Sequence, residues 1–129
     1  QREKTRAFIN RLKTFHRTIT DRNFDIYELN SAAVEFCRRQ YASEKQIYRV
    51  QLVLEEMLLN IILPQLEDGK IAVDVTVEYS VKDSRLAVFI SSAEPFTLRE
   101  SGEDDLSMFM LRAVCTDIAE EQNGVRLYL

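Results

Sequence analysis

The spacing of apolar residues changes character along the chain, and each change marks a boundary between elements. Phe8, Leu12, Phe15 and Ile19 stand 4, 3 and 4 residues apart, the stripe of a short amphipathic helix with a coiled-coil-like seam. Between Thr18 and Tyr27 the pattern is mixed and reads as a short edge strand followed by a turn. From about Leu29 or Asn30 to Tyr41, the residues Ala33, Val34, Phe36 and Cys37 return at helical spacing, with Asn30 or Ser31 available as N-cap. Ser43, with Gln46 three residues on, forms a capping-box pattern that opens a long apolar helix, which is expected to end before Pro64.

Beyond the turn Glu67-Asp68-Gly69-Lys70 the period falls from 3.6 to 2. Ile71, Val73, Val75, Val77 and Tyr79 alternate with polar or smaller residues, and Leu86, Val88 and Ile90 do so after Lys82-Asp83-Ser84, predicting a β-hairpin with one packed face. Ser91 to Asp104 reads as a polar loop and Leu106 to Val114 as a helix. Ile118 to Gln122 and Val125 to Leu129 then form a second hairpin about Asn123-Gly124. Helices first, then hairpin, helix and hairpin, predict an α+β two-layer sandwich: a largely antiparallel sheet covered on one face by helices.

Within the long apolar helix, Glu56 and Asn60 stand four residues apart and project from one face. Apolar residues surround them in nearly every direction, so the pair is expected inside the domain, where a carboxylate and a carboxamide require partners or chemistry.

The bulk numbers refine this picture. A chain of 129 residues, 46% hydrophobic and 29% charged, suits one globular domain. No apolar run reaches the length of a membrane span, and no signal-peptide core is visible, so a cytoplasmic location is expected. The net charge of −4 divides unevenly: residues 1–22 sum to +5 and the remainder to −9. A basic amphipathic linker helix (1–22) is therefore expected to precede the domain proper (23–129), with its seam either zipping to a second copy as a homodimer or lying against its own domain. That arm would be the connector in a longer signalling protein, its basic character suited to a position beside a membrane segment. The acidic body, without aromatic residues interleaved among basic ones, argues against nucleic acid as a partner. Cys37 and Cys115 fall in apolar patterns without metal spacing and read as buried free thiols. His16 lies in the basic segment without an obvious acidic partner in sequence.

A helix bearing Glu-x-x-x-Asn, followed by hairpin, polar loop, helix and hairpin, resembles the histidine-kinase-like ATPase domain of bacterial signalling proteins. It is most similar to the small anti-sigma-factor serine kinases, over roughly Asp25 to Leu129. The run Leu106-Ser107-Met108-Phe109-Met110-Leu111-Arg112 resembles the helix start that follows that family's nucleotide lid. The resemblance implies ATP and Mg²⁺ as cofactors, with Glu56 as base or water-positioning group and Asn60 as the Mg²⁺ ligand. It also implies nucleotide-contacting positions at Ser91, Ala93, Gly102, Ser107 and Arg112.

Several of those positions depart from the family's pattern. Ser91-Ser92-Ala93 stands where an Asp-x-Gly would receive the adenine amino group, and a neutral hydroxyl is a weaker partner than a carboxylate. Asp105-Leu106-Ser107 replaces phosphate-wrapping glycines, Glu103, Asp104 and Asp105 bring negative charge there, and Pro64 stands where a histidine is common. The resulting expectation is a regulatory module with degenerate ATP-binding boxes that holds a partner such as a sigma factor or an anti-sigma antagonist. The alternatives are an active Mg-ATP-dependent serine kinase and an unrelated α+β sensor domain.

Overall fold

The computed structural model describes residues 12–98 and 106–129. Its strands are β1 (Leu12–Ile19), β2 (Val73–Ser80), β3 (Arg85–Ser92), β4 (Asp117–Glu121) and β5 (Gly124–Tyr128). Helices α1 (Ile26–Arg39) and α2 (Glu44–Glu55) come between β1 and β2. From α2 the chain passes directly into a π turn (Glu56–Ile62) and a 3-10 turn (Leu63–Gln65), and α3 (Leu106–Val114) precedes β4. The five strands form one antiparallel sheet in the order β1-β2-β3-β5-β4. With the helices gathered on one face, the architecture is the expected α+β two-layer sandwich.

Alternation along the strands divides the sheet into two faces. Val73, Val75, Val77 and Tyr79 of β2, Leu86, Val88 and Ile90 of β3, and Val125 and Leu127 of β5 are buried toward the helices. There they meet Val50, Val53, Leu54, Met57, Leu58 and Ile62 in one core. The opposite face carries Glu78, Phe89 and Arg126: the Arg126 guanidinium pairs with Glu78 and lies 4.7 Å from the centroid of the Phe89 ring.

Caps and turns explain where the elements begin and end. Asp25 accepts hydrogen bonds from the backbone N–H groups of Tyr27 and Glu28, so α1 starts five or six residues earlier than Asn30 or Ser31 as cap would allow. Asn30 instead lies buried in the helix interior. The Ser43 capping box is present as expected, with Gln46 closing it reciprocally. The final hairpin pairs Glu121 with Gly124, so its two turn residues are Gln122 and Asn123, and Asn123 takes the left-handed conformation at φ 58°.

The N-terminal segment differs from the helix that its spacing suggests. Leu12–Ile19 is a strand, and every one of its residues pairs with β2, from Leu12 opposite Ser80 to Ile19 opposite Val73. Ile19 is buried in the core and Phe15 packs against it, with its ring 6.0 Å from that of Phe36. These two apolar side chains therefore belong to the sandwich itself, and the seam expected to zip to a second copy does not exist over this stretch. Phe8 and the rest of the expected linker helix at 1–11 lie outside the described residues. Among the described residues no helix is long and apolar enough to cross a membrane.

Candidate functional site

Glu56 and Asn60 fall where α2 gives way to the π turn. Asn60 Nδ2 donates to Glu56 Oε1 at 3.0 Å, so the two side chains do stand together. Their surroundings differ from the expectation of a buried pair: Asn60 is exposed and Glu56 half-buried. The cause is local. A π turn holds more residues per turn than an α-helix and displaces the azimuth of the side chains that follow. Met57, Leu58, Ile61 and Ile62 still face the core, while Leu59 and Asn60 are left at the surface.

The end of this segment is held by side chains from elsewhere. The helical run ends at Gln65, which leaves its last carbonyl groups to be satisfied by donors outside the ladder. Arg22 supplies two of those bonds, from Nη1 to the Leu63 carbonyl at 2.7 Å and from Nη2 to the Leu66 carbonyl, while its Nε pairs with Asp68 at 2.7 Å. Gln65 supplies another, from Nε2 to the Ile61 carbonyl at 2.7 Å. The last basic residue of the expected linker is thus a cap for the helix that carries Asn60.

The end of β3 forms a second wall. Strand alternation turns Ser91 to the open face of the sheet, in register with Asp74 and Gly124, and directs Ser92 toward the helices. Ser91 is therefore not the residue of this pair that faces the helical layer. Ser92 is 5% exposed, and its Oγ has no hydrogen-bond partner among the described residues. Parity with Leu86, Val88 and Ile90 was the available signal for that choice. Ala93 is exposed, and its N–H donates to the Ala72 carbonyl at 3.0 Å.

The remaining expected positions lie on or before α3. Ser107 is half-buried in the first turn and Arg112 is exposed in the last, on a helix that packs against the π turn. Gly102, Glu103, Asp104 and Asp105 lie outside the described residues.

A buried polar contact that spacing did not reveal joins α1 to α2. Asn30, 6% exposed, donates through Nδ2 to Glu55 Oε1 at 2.9 Å, while its Oδ1 has no partner. Twenty-five positions separate the two residues, so no periodic pattern connects them.

The donor set can be weighed against the nucleotide and metal implied by the resemblance. Asn60 Oδ1 and the second Glu56 oxygen offer two hard oxygen ligands, a number suited to Mg²⁺ held mostly by water and phosphate. Among the described residues no group of three or more His, Cys, Asp or Glu is arranged to hold a metal ion. The adenine end fits less well, since the residue directed inward at the end of β3 is a serine rather than an aspartate. No protein-family model matches the chain, and no curated protein matches it.

Proposed function

We propose that this chain is a cytoplasmic regulatory module of the anti-sigma-factor, histidine-kinase-like ATPase type, with ATP binding impaired or lost, acting by holding a partner protein. A sigma factor or an anti-sigma antagonist is the class of partner intended. The observation that carries this reading is the neutral Ser92 hydroxyl, buried and unpartnered, in the region where an adenine-reading carboxylate would be needed. The one-faced antiparallel sheet and the Glu56–Asn60 pair support the kinship, and the altered β3 terminus supports loss of the ligand.

A second reading, a Mg-ATP-dependent serine kinase, is favoured by one feature. Asn60 is exposed beside Glu56 instead of serving as a buried brace, so the pair is open to a ligand.

Isothermal titration with ATP and ADP, with and without Mg²⁺ and with Asn60→Ala as control, separates the two. Absence of binding up to millimolar nucleotide is the expected result. Micromolar, Mg²⁺-dependent binding abolished in the control would overturn the loss of ATP and establish the second reading.

A further inference from the structure

The segment leaving β3 is fastened to the π turn by one side chain. Gln65 Nε2 donates both to the Ile61 carbonyl at 2.7 Å and to the Thr97 carbonyl at 2.9 Å, while its Oε1 accepts from the Thr97 N–H at 3.0 Å. The carboxamide therefore meets both backbone groups of Thr97, much as a neighbouring strand would, and also satisfies a helix-end carbonyl. Only a carboxamide combines donor and acceptor in this way: a carboxylate accepts without donating, and an aliphatic chain does neither. On either side of Thr97, Leu98 is buried and Phe96 packs against the core, so apolar contacts anchor the segment while the carboxamide fixes its register.

Ile61, whose carbonyl is held, is the residue immediately after Asn60. We infer that Gln65 is a positioning residue which holds the Glu56–Asn60 pair and the segment following β3 in a fixed mutual position, so that a ligand touching one element alters the other. This rests on the proposed reading of Glu56 and Asn60 as a binding site, and it adds a route by which occupancy there reaches Thr97. Coupling of this kind is reciprocal, so a change made at Asn60 must also be felt at Thr97.

The test needs neither nucleotide nor partner, so its outcome is separate from that of the titration above. Nuclear magnetic resonance of the full chain would follow hydrogen exchange at the Thr97 amide and the side-chain NH₂ resonance of Asn60, in wild type, Gln65→Leu, Gln65→Glu and Asn60→Leu. In Gln65→Leu the Thr97 amide is expected to exchange about tenfold faster, the loss of roughly one net hydrogen bond, and the Asn60 resonance to move. Asn60→Leu is expected to change Thr97 exchange as well. Gln65→Glu at neutral pH keeps an acceptor for the Thr97 N–H but loses the donor to the Ile61 and Thr97 carbonyls, so the Asn60 resonance should move as in Gln65→Leu while the Thr97 amide stays protected. The resonance should return toward wild type as the pH is lowered through the carboxylate range, because the protonated acid regains a donor. A brace confined to Thr97 and Ile61 would leave the Asn60 resonance at its wild-type position throughout that range. Unchanged Thr97 exchange in Gln65→Leu, or a released Thr97 with the Asn60 resonance unmoved, would overturn the inference. If Gln65→Leu does not fold, the pH titration of Gln65→Glu decides: a shift of the Asn60 resonance at neutral pH that reverses on protonation supports the coupling, and its absence overturns it.

Discussion

Arg22 reaches across 41 positions of sequence to donate a hydrogen bond to the Leu63 carbonyl at 2.7 Å, joining the turn after β1 to the helix end that carries Asn60. It holds the Leu66 carbonyl and the Asp68 carboxylate at the same time. A cation at a helix C-terminus also answers the partial negative charge of the free carbonyls. Replacing Arg22 with Met keeps much of the stem and removes the donors. Urea denaturation is expected to show a loss of about 1–2 kcal/mol, since the Leu66 carbonyl and the Asp68 carboxylate lose the guanidinium and the Leu63 carbonyl keeps only its bond from the Leu66 N–H. A change below about 0.5 kcal/mol would mean that water replaces the guanidinium at little cost.

The Glu56–Asn60 bond should contribute little to folding. It lies at the surface within one helical segment, where such i,i+4 pairs contribute about 0.2–0.5 kcal/mol. Asn60→Leu is therefore expected to leave the unfolding midpoint almost unchanged and, in a module without ATP, to leave partner regulation intact. Lost regulation with an unchanged midpoint would show that the carboxamide acts in function and would count against decay of the site.

Ser92→Ala tests the unpartnered hydroxyl directly. Removing a buried polar atom that makes no hydrogen bond relieves its desolvation penalty, so thermal melting of the free chain should be unchanged or raised, by up to about 1 kcal/mol. A clear loss of stability would reveal a partner for Ser92 Oγ in solution, such as a bound water.

Burial pushes both cysteine thiols up from the usual 9.0 to about 11, with Arg49 pulling slightly the other way on Cys115. The neutral thiol is thus favoured in the folded chain. This contribution to stability is fully present below pH 9 and declines as the pH rises from there through 11, because the unfolded chain ionises first. A disulfide reagent at pH 7.5 is expected to label native protein slowly at both cysteines and urea-unfolded protein fast. Rapid labelling of Cys37 in the native state would require a local opening of α1.

Local signals were sufficient for some elements and not for others. The Ser43–Gln46 box, the helix 106–114 and the hairpin built on β2 and β3 are all carried by residues within a few positions of one another. Asp25 followed by Glu28 was an equally local signal for the start of α1, and it outcompetes Asn30, which the fold needs inside. The strand at 12–19 was harder to read. Phe15 and Ile19 lie four apart, a spacing that a helix face and a strand face share, and pairing with residues 73–80 decides between them. Thr14, Thr18 and Ile19 favoured the strand, but the three-residue step from Leu12 to Phe15, which puts the two on opposite faces of a strand, favoured the helix.

The site was legible as a pair and not as a place. Glu56 and Asn60 stand together as their spacing requires, yet the π turn moves them to the surface, and no residue type within 56–62 announces such a turn. Ser92 and the Asn30–Glu55 contact depend on which side chains the folded layers bring inward.

A π turn can be regarded as an α-helix that has taken in one additional residue. Deleting a single residue between Glu56 and Ile62 could therefore restore a regular ladder and shorten the segment without breaking it. The same deletion would swing every later side chain round the axis and disturb the alignment of Ile61 and Leu63 with the Gln65 and Arg22 donors. The length of this stretch thus sets where Asn60 points and which carbonyls meet the Gln65 and Arg22 donors.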